Sequence, residues 1–167
     1  MVLFVGRLVE KKGVPIVLDV CRRLPAVQFV VAGDGPLRTL FSAPPANLMW
    51  HRTVPQNQIH GYYRATDCVL LPSHGEGLPL VVQEAMACGL PVVIADDEPY
   101  ADGLVAAAVC VSAPRQPHLI VRRIQETLEG ADPAIGQRAR TYAEEHWSLR
   151  AMIARYVALF ESLLGRA

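Results

Sequence analysis

The chain has 167 residues, 51% of them hydrophobic and 19% charged, with sixteen lysines and arginines against sixteen acidic side chains and a formal net charge of zero. That length suits one well-buried domain, residues 1–167, and the neutral balance offers no basic surface for nucleic acid. The longest apolar run, Leu104 to Val111, is far too short to cross a bilayer, and Met1 opens directly on a strand with no signal peptide, so a cytoplasmic location is expected.

Short apolar runs alternate with helical periodicity along the chain, which predicts a parallel sheet with crossover helices. A strand over Val2 to Val5 leads into a helix over Val14 to Arg23, then a strand over Val27 to Ala32 and a short helix over Leu37 to Phe41. Asn47 to His51 reads as the third strand, Asn57 to Ala65 as a helix, Cys68 to Leu71 as the fourth strand and Pro79 to Cys88 as the next helix. Strands over Val92 to Ala95 and Ala107 to Val111 follow, and His118 to Leu128 is helical. Several strands are apolar throughout, as strands covered on both faces must be. The fold class is α/β: a Rossmann-like, doubly wound parallel sheet of about six strands in the order 3-2-1-4-5-6, with ligands at the carboxyl ends of the strands near the switch point.

After Gly130 the pattern becomes two consecutive helices, Ala134 to Glu145 and Leu149 to Leu164. On the second, Leu149, Met152, Ile153, Tyr156, Val157, Phe160, Leu163 and Leu164 recur at helical steps and form a wide apolar stripe that needs a partner, either its own domain or another surface. Arg150, Arg155 and Arg166 give only a thin basic border, which argues against membrane adsorption. Cys21, Cys68, Cys88 and Cys110 lack C-x-x-C spacing and fall in predicted elements, so buried thiols are expected rather than a disulfide frame or a metal site.

The segment from Pro72 to Asp96, PSHGEGLPLVVQEAMACGLPVVIAD, carries the chemistry. Gly75, Gly77 and Pro79 mark a tight turn, and Pro79 suits the first helical position. Glu76 then sits in the loop and Glu84 in the second helical turn, placed so that both can face one pocket. Free amides at the helix start favour phosphate, and a carboxylate accepts hydrogen bonds from a vicinal hydroxyl pair. A nucleotide-sugar carries both kinds of group. Arg7 follows the first strand and Lys12 lies in the adjoining loop, so both project from the edge where a diphosphate would bind, although Lys11 beside them shows that such charges are also ordinary surface.

Gly6-Arg7-Leu8 with Lys12-Gly13, Gly33-Asp34-Gly35-Pro36, Tyr63 to Ser73, the two-glutamate segment and Pro91-Val92-Val93 occur in one order over roughly the first two thirds of the chain. In that order they resemble the donor-binding, C-terminal half of the retaining GT-B glycosyltransferases of family four, also called glycosyl transferases group 1. The resemblance implies transfer of a hexose from a nucleoside diphosphate sugar to an acceptor, with no cofactor and no metal. It implies that Arg7 and Lys12 grip the pyrophosphate and stabilise the departing diphosphate. Glu84 would hold the ribose, Glu76 the transferred sugar, and the backbone from Gly77 through Leu78 and Pro79 to Leu80 would approach sugar and phosphate. Gly6 would border the donor, and Arg52, Thr53 and Val54 the nucleobase. The acceptor platform belongs, in that family, to an N-terminal domain absent from this sequence. The isolated chain is therefore expected to bind donor without efficient turnover, and any membrane contact would belong to the absent domain.

Two departures matter. Arg52 stands where the family commonly has glycine, which leaves the base open. Asp96-Asp97-Glu98 replaces a glycine-rich turn and is expected to be solvated. His74 has no orienting partner in the sequence and reads as polar surface rather than as a general base. Other readings that keep the fold are a related GT-B enzyme, such as an epimerase or an inverting transferase, and a non-catalytic nucleotide-sugar binding module. A dinucleotide oxidoreductase is disfavoured, because GRLVEKKG follows the first strand in place of the glycine fingerprint.

Overall fold

A computed structural model describes residues 1–165. Six parallel strands, β1 (Val2–Val5), β2 (Phe29–Ala32), β3 (Leu48–His51), β4 (Cys68–Leu71), β5 (Val92–Ala95) and β6 (Val111–Ala113), form one sheet in the order β3-β2-β1-β4-β5-β6. The predicted order holds, and the reversal of strand order falls between β1 and β4. The helices are α1 (Val14–Arg23), α2 (Ile59–Arg64), α3 (Leu80–Ala87), α4 (Ala101–Ala106), α5 (Pro117–Leu128), α6 (Ile135–Trp147) and α7 (Leu149–Leu163). Short 3-10 turns occupy Glu10–Lys12 and Pro36–Phe41.

The sheet is the centre of the core. Every residue of β2, β4 and β5 is buried, because helices cover both faces, and Leu3, Leu70 and Ile94 are at most 1% exposed. Truncating a leucine of this kind typically costs about 2–5 kcal/mol. Asn47 joins three elements from inside: its Nδ2 lies 3.1, 2.9 and 2.8 Å from the carbonyl oxygens of Cys21, Leu24 and Val27, carbonyls at and beyond the end of α1 that lead into β2. Loose helix-terminal carbonyls are thereby satisfied without water.

Two expectations are corrected, and the alternative left open for the last helix is narrowed. The sixth strand begins at Val111, because Ala101–Ala106 forms a helix closed by Ala108 in the left-handed region at φ 53°. Cys21, Cys68 and Cys110 are buried, and burial pushes their thiols up to about 11, 12 and 12, but Cys88 is exposed at the end of α3. The stripe on α7 does not pack on its own domain. Ser148 Oγ accepts the Ala151 amide at 3.2 Å to start the helix, and Arg155 donates to the His146 carbonyl at 2.9 Å, yet no residue of α7 is buried. Leu149, Ile153, Tyr156, Phe160 and Leu163 are each more than half exposed. Arg166, on the basic border of this stripe, lies outside the described residues. Among the described residues no helix is long and apolar enough to cross a membrane.

Candidate functional site

The loops at the carboxyl ends of β1, β2 and β3 are stitched together by backbone. The Gly6 amide donates to Ala32 at 3.0 Å, Leu8 to Asp34 at 2.9 Å, and Gly33 to His51 at 2.9 Å. Gly33 has φ +153°, and a Cβ there would lie 1.8 Å from the Gly6 carbonyl oxygen, so only glycine allows the two loops to touch. The loops after β1 and β4 meet in the same way: His74 donates to the Lys11 carbonyl at 2.9 Å, and Gly13, at φ 69°, lets Pro72 approach.

Between these loops and α3 lies a cleft of about 730 Å³. That is within the ordinary range for a small-molecule site. Gly6 and Arg7 line it from the β1 loop, Arg52, Thr53 and Val54 from the β3 loop, and Leu80 and Glu84 from α3, so seven of the residues singled out in the sequence share one wall-to-wall space. Arg7 is exposed and has no salt bridge or side-chain hydrogen bond among the described residues. The Leu80 and Val81 amides, first in α3, have no backbone acceptor among the described residues, whereas Val82 and Gln83 turn back to the Pro79 carbonyl at 3.1 and 3.3 Å. A free guanidinium and two free amides at a helix start give the cleft groups suited to anions.

Glu84 is held from two sides. Its Oε2 accepts from the Tyr63 hydroxyl at 2.8 Å and its Oε1 from Gln56 Nε2 at 3.1 Å. Burial, then the hydrogen bond to Glu84, pushes the Tyr63 hydroxyl far above the ordinary tyrosine value, so it stays a donor. A carboxylate has about four acceptor positions, which leaves room for two further donors from the cleft.

Lys12 and Glu76 stand apart from this wall. Neither lines the cleft; they face each other, Nζ to Oε1 at 2.9 Å, with side chains 19% and 14% exposed. Glu76 and Glu84 therefore do not share one pocket here. Gly77, Leu78 and Pro79 form the connection between them and do not line the cleft either. Pro79 precedes the helix instead of opening it: at φ −65° and ψ 135° it is the extended N-cap residue, and Leu80 is the first helical position. Glu84 remains in the second turn.

Arg52 lies across Trp50, its Cζ 5.1 Å from the ring centroid, with Asp34 Oδ2 3.9 Å from its Nε. Trp50 is itself fixed by donation from Nε1 to the Gly33 carbonyl at 2.9 Å. Asp34 caps its own turn, accepting the Gly35 amide at 2.7 Å. His74 is exposed.

The acidic run after β5 departs from expectation. Asp96 and Asp97 are exposed, and Asp97 pairs with Arg115 at 2.5 Å. Glu98 is 3% exposed and accepts the Gly75 and Glu76 amides at 2.6 and 2.8 Å. Nothing in the residue types separates it from its two acidic neighbours. Residue type likewise gives no sign of the roles of Tyr63 and Gln56, although Tyr63 opens the YRATDCVLLPS stretch. Among the described residues no three of the His, Cys, Asp and Glu side chains gather as metal ligands.

The sheet order, with a cleft at its carboxyl edge, is that of a Rossmann-like α/β domain of the kind found in GT-B proteins. The chain belongs to the glycosyl transferases group 1 family, whose family model matches residues 1–146. It is 36% identical over 99 residues to the sulfoquinovosyl transferase SQD2 of Arabidopsis thaliana, covering 57% of this chain and 19% of that protein. The fold superimposes on HepE of Anabaena, solved in complex with UDP, at a TM-score of 0.82 and 20% identity, over 96% of this chain and 48% of the other. The C-terminal domain of the group 1 protein LpcC from Francisella tularensis matches at a TM-score of 0.74 and 18% identity, over 89% of this chain and 86% of that one. The chain thus spans under a third of the length of curated relatives such as SQD2 and about half of solved structures such as HepE.

Proposed function

We propose that this chain is the nucleotide-sugar donor-binding half of a retaining glycosyltransferase that moves a hexose from a nucleoside diphosphate sugar to an acceptor. The observation that carries this reading is the cleft itself, whose lining includes a free Arg7 guanidinium, free amides at the start of α3 and the doubly oriented Glu84 carboxylate. Arg7 binds the diphosphate, and Lys12 joins it on leaving Glu76, so that both stabilise the departing nucleoside diphosphate. Glu84 receives the ribose hydroxyls. Glu76, released from Lys12, and the backbone from Gly77 to Leu80 meet the sugar. The base lies against Gly6, Arg52, Thr53 and Val54, with the guanidinium plane on Trp50 available for stacking. The chemistry in this reading needs no metal, because cations and amides neutralise the leaving group. A complex of HepE with UDP is consistent with such a ligand.

The acceptor domain is the partner in this reading, and it works in the cytoplasm with any membrane contact made through that domain. The exposed apolar α7 supports such a partner, since a stripe of this size is unfavourable in water. Transfer requires both substrates to be oriented together, which the donor half alone cannot do. With a panel of nucleotide sugars and acceptors, the chain alone should bind donor and show no transfer, and adding an N-terminal acceptor domain should restore transfer with retained anomeric configuration. Efficient transfer by the chain alone would refute the divided-site reading, and an inverted product would refute retention.

A further inference from the structure

Glu98 is the one buried acid of the run after β5, and its two oxygens divide between consecutive amides, Oε1 to Gly75 at 2.6 Å and Oε2 to Glu76 at 2.8 Å. Gly75 is left-handed at φ 64°, and a left-handed residue in a turn brings successive amides to converge on one anion. In this chain that anion is a protein carboxylate from a different loop. Its burial is compensated by two short charge-assisted hydrogen bonds, which fix the two successive peptide groups, 74–75 and 75–76, that lead to the Glu76 Cα. Around it lie the Lys12–Glu76 ion pair and the Tyr100 hydroxyl, which burial and then the charges of Glu98 and Glu76 push well above its ordinary value. The cluster therefore holds two carboxylates against one ammonium, and the backbone amides supply the remaining positive potential.

We propose that Glu98 is a positioning residue for sugar recognition: by clamping the Gly75 and Glu76 amides it sets where the Glu76 carboxylate stands relative to the transferred sugar. This rests on the reading of Glu76 as the sugar contact. Neither Glu98 nor its loop lines the cleft assigned to the nucleotide, so its effect is confined to the sugar part of the donor.

The test is calorimetric titration of the full chain with UDP and UDP-glucose, or GDP and GDP-mannose where UDP does not bind, for wild type, Glu98→Gln and Glu98→Asp. Glutamine keeps one acceptor and turns an N–H toward the other amide, whereas aspartate keeps both acceptors on a shorter stem. In Glu98→Gln the nucleoside diphosphate should bind within twofold of wild type, while the added affinity contributed by the sugar should fall about fivefold or more. Glu98→Asp should recover part of that loss, and it gives the same comparison where the glutamine variant does not fold. An unchanged sugar contribution, equal loss for diphosphate and diphosphate sugar, or a wild type that gains nothing from the sugar overturns the role of Glu98 while the nucleotide site stands. Failure of the wild type to bind any nucleoside diphosphate overturns the donor reading and this inference with it.

Discussion

Replacing Arg7 with alanine should weaken binding of a nucleoside diphosphate roughly 10- to 100-fold and leave the parent nucleoside bound almost as before, since a hydrogen bond to a charged group contributes about 1.5–3 kcal/mol. Arg7 lines the cleft and has no carboxylate partner among the described residues, so its charge is not diverted to a protein carboxylate. Adding Lys12→Ala should weaken the diphosphate further. Lys12 differs in a second respect: it is already paired with Glu76, whose side chain is only 14% exposed. Removing it strands a largely buried carboxylate and should lower stability as well, an effect that Arg7→Ala should not show. Titration of both variants with diphosphate and nucleoside, alongside thermal melts, separates the two effects. Equal loss for both ligands would remove Arg7 from the phosphate site.

Gly33→Ala should be the most damaging single methyl group in the chain. Its Cβ would stand 1.8 Å from the Gly6 carbonyl oxygen on a backbone at φ +153°, and the obstruction is backbone rather than a flexible side chain, in a residue whose own amide donates to the Ala32 carbonyl. Overpacking and an unfavourable backbone conformation each cost about 1–3 kcal/mol, so a loss on the order of 4 kcal/mol is expected. For a chain of this size that lowers the melting temperature by roughly 10 °C. Gly61 in α2 is the control, because nothing lies within 4 Å of a Cβ built there, and Gly61→Ala should be neutral or slightly stabilising. A Gly33→Ala protein that melts with the wild type would contradict the contact between the β1 and β2 loops.

The strands β1, β4 and β5 were legible residue for residue, because a strand covered on both faces must be a short unbroken apolar run and these three are. The sixth strand was not. The run LVAAAVCV is equally apolar as helix or strand, and alanine favours helix, so the chain completes α4 and turns at Ala108 before β6 begins. On the site side, Arg7 and Glu84 could be placed in one space from their positions after β1 and within α3, since the parallel topology brings those ends together. The Lys12–Glu76 ion pair could not be read, because periodicity fixes which edge a loop occupies and not which side chain meets which. Glu98 is the sharper case: it and Asp97 are adjacent acids, yet one is buried on two amides and the other meets Arg115 at the surface. That distinction arises only when the β4 and β5 loops pack.

The donor site itself is tested most directly by calorimetric titration of the full chain with UDP, GDP and ADP, and with the 2′-deoxy form of whichever binds. One saturable site is expected, with the ribonucleotide bound more tightly than its deoxy counterpart, and Glu84→Gln should reduce that preference because an amide is a poorer acceptor for a hydroxyl pair than a carboxylate. Absence of binding by all three diphosphates would contradict the assignment of the cleft to a nucleotide-sugar, and a preference for the ribonucleotide that survives Glu84→Gln unchanged would take Glu84 out of the ribose site.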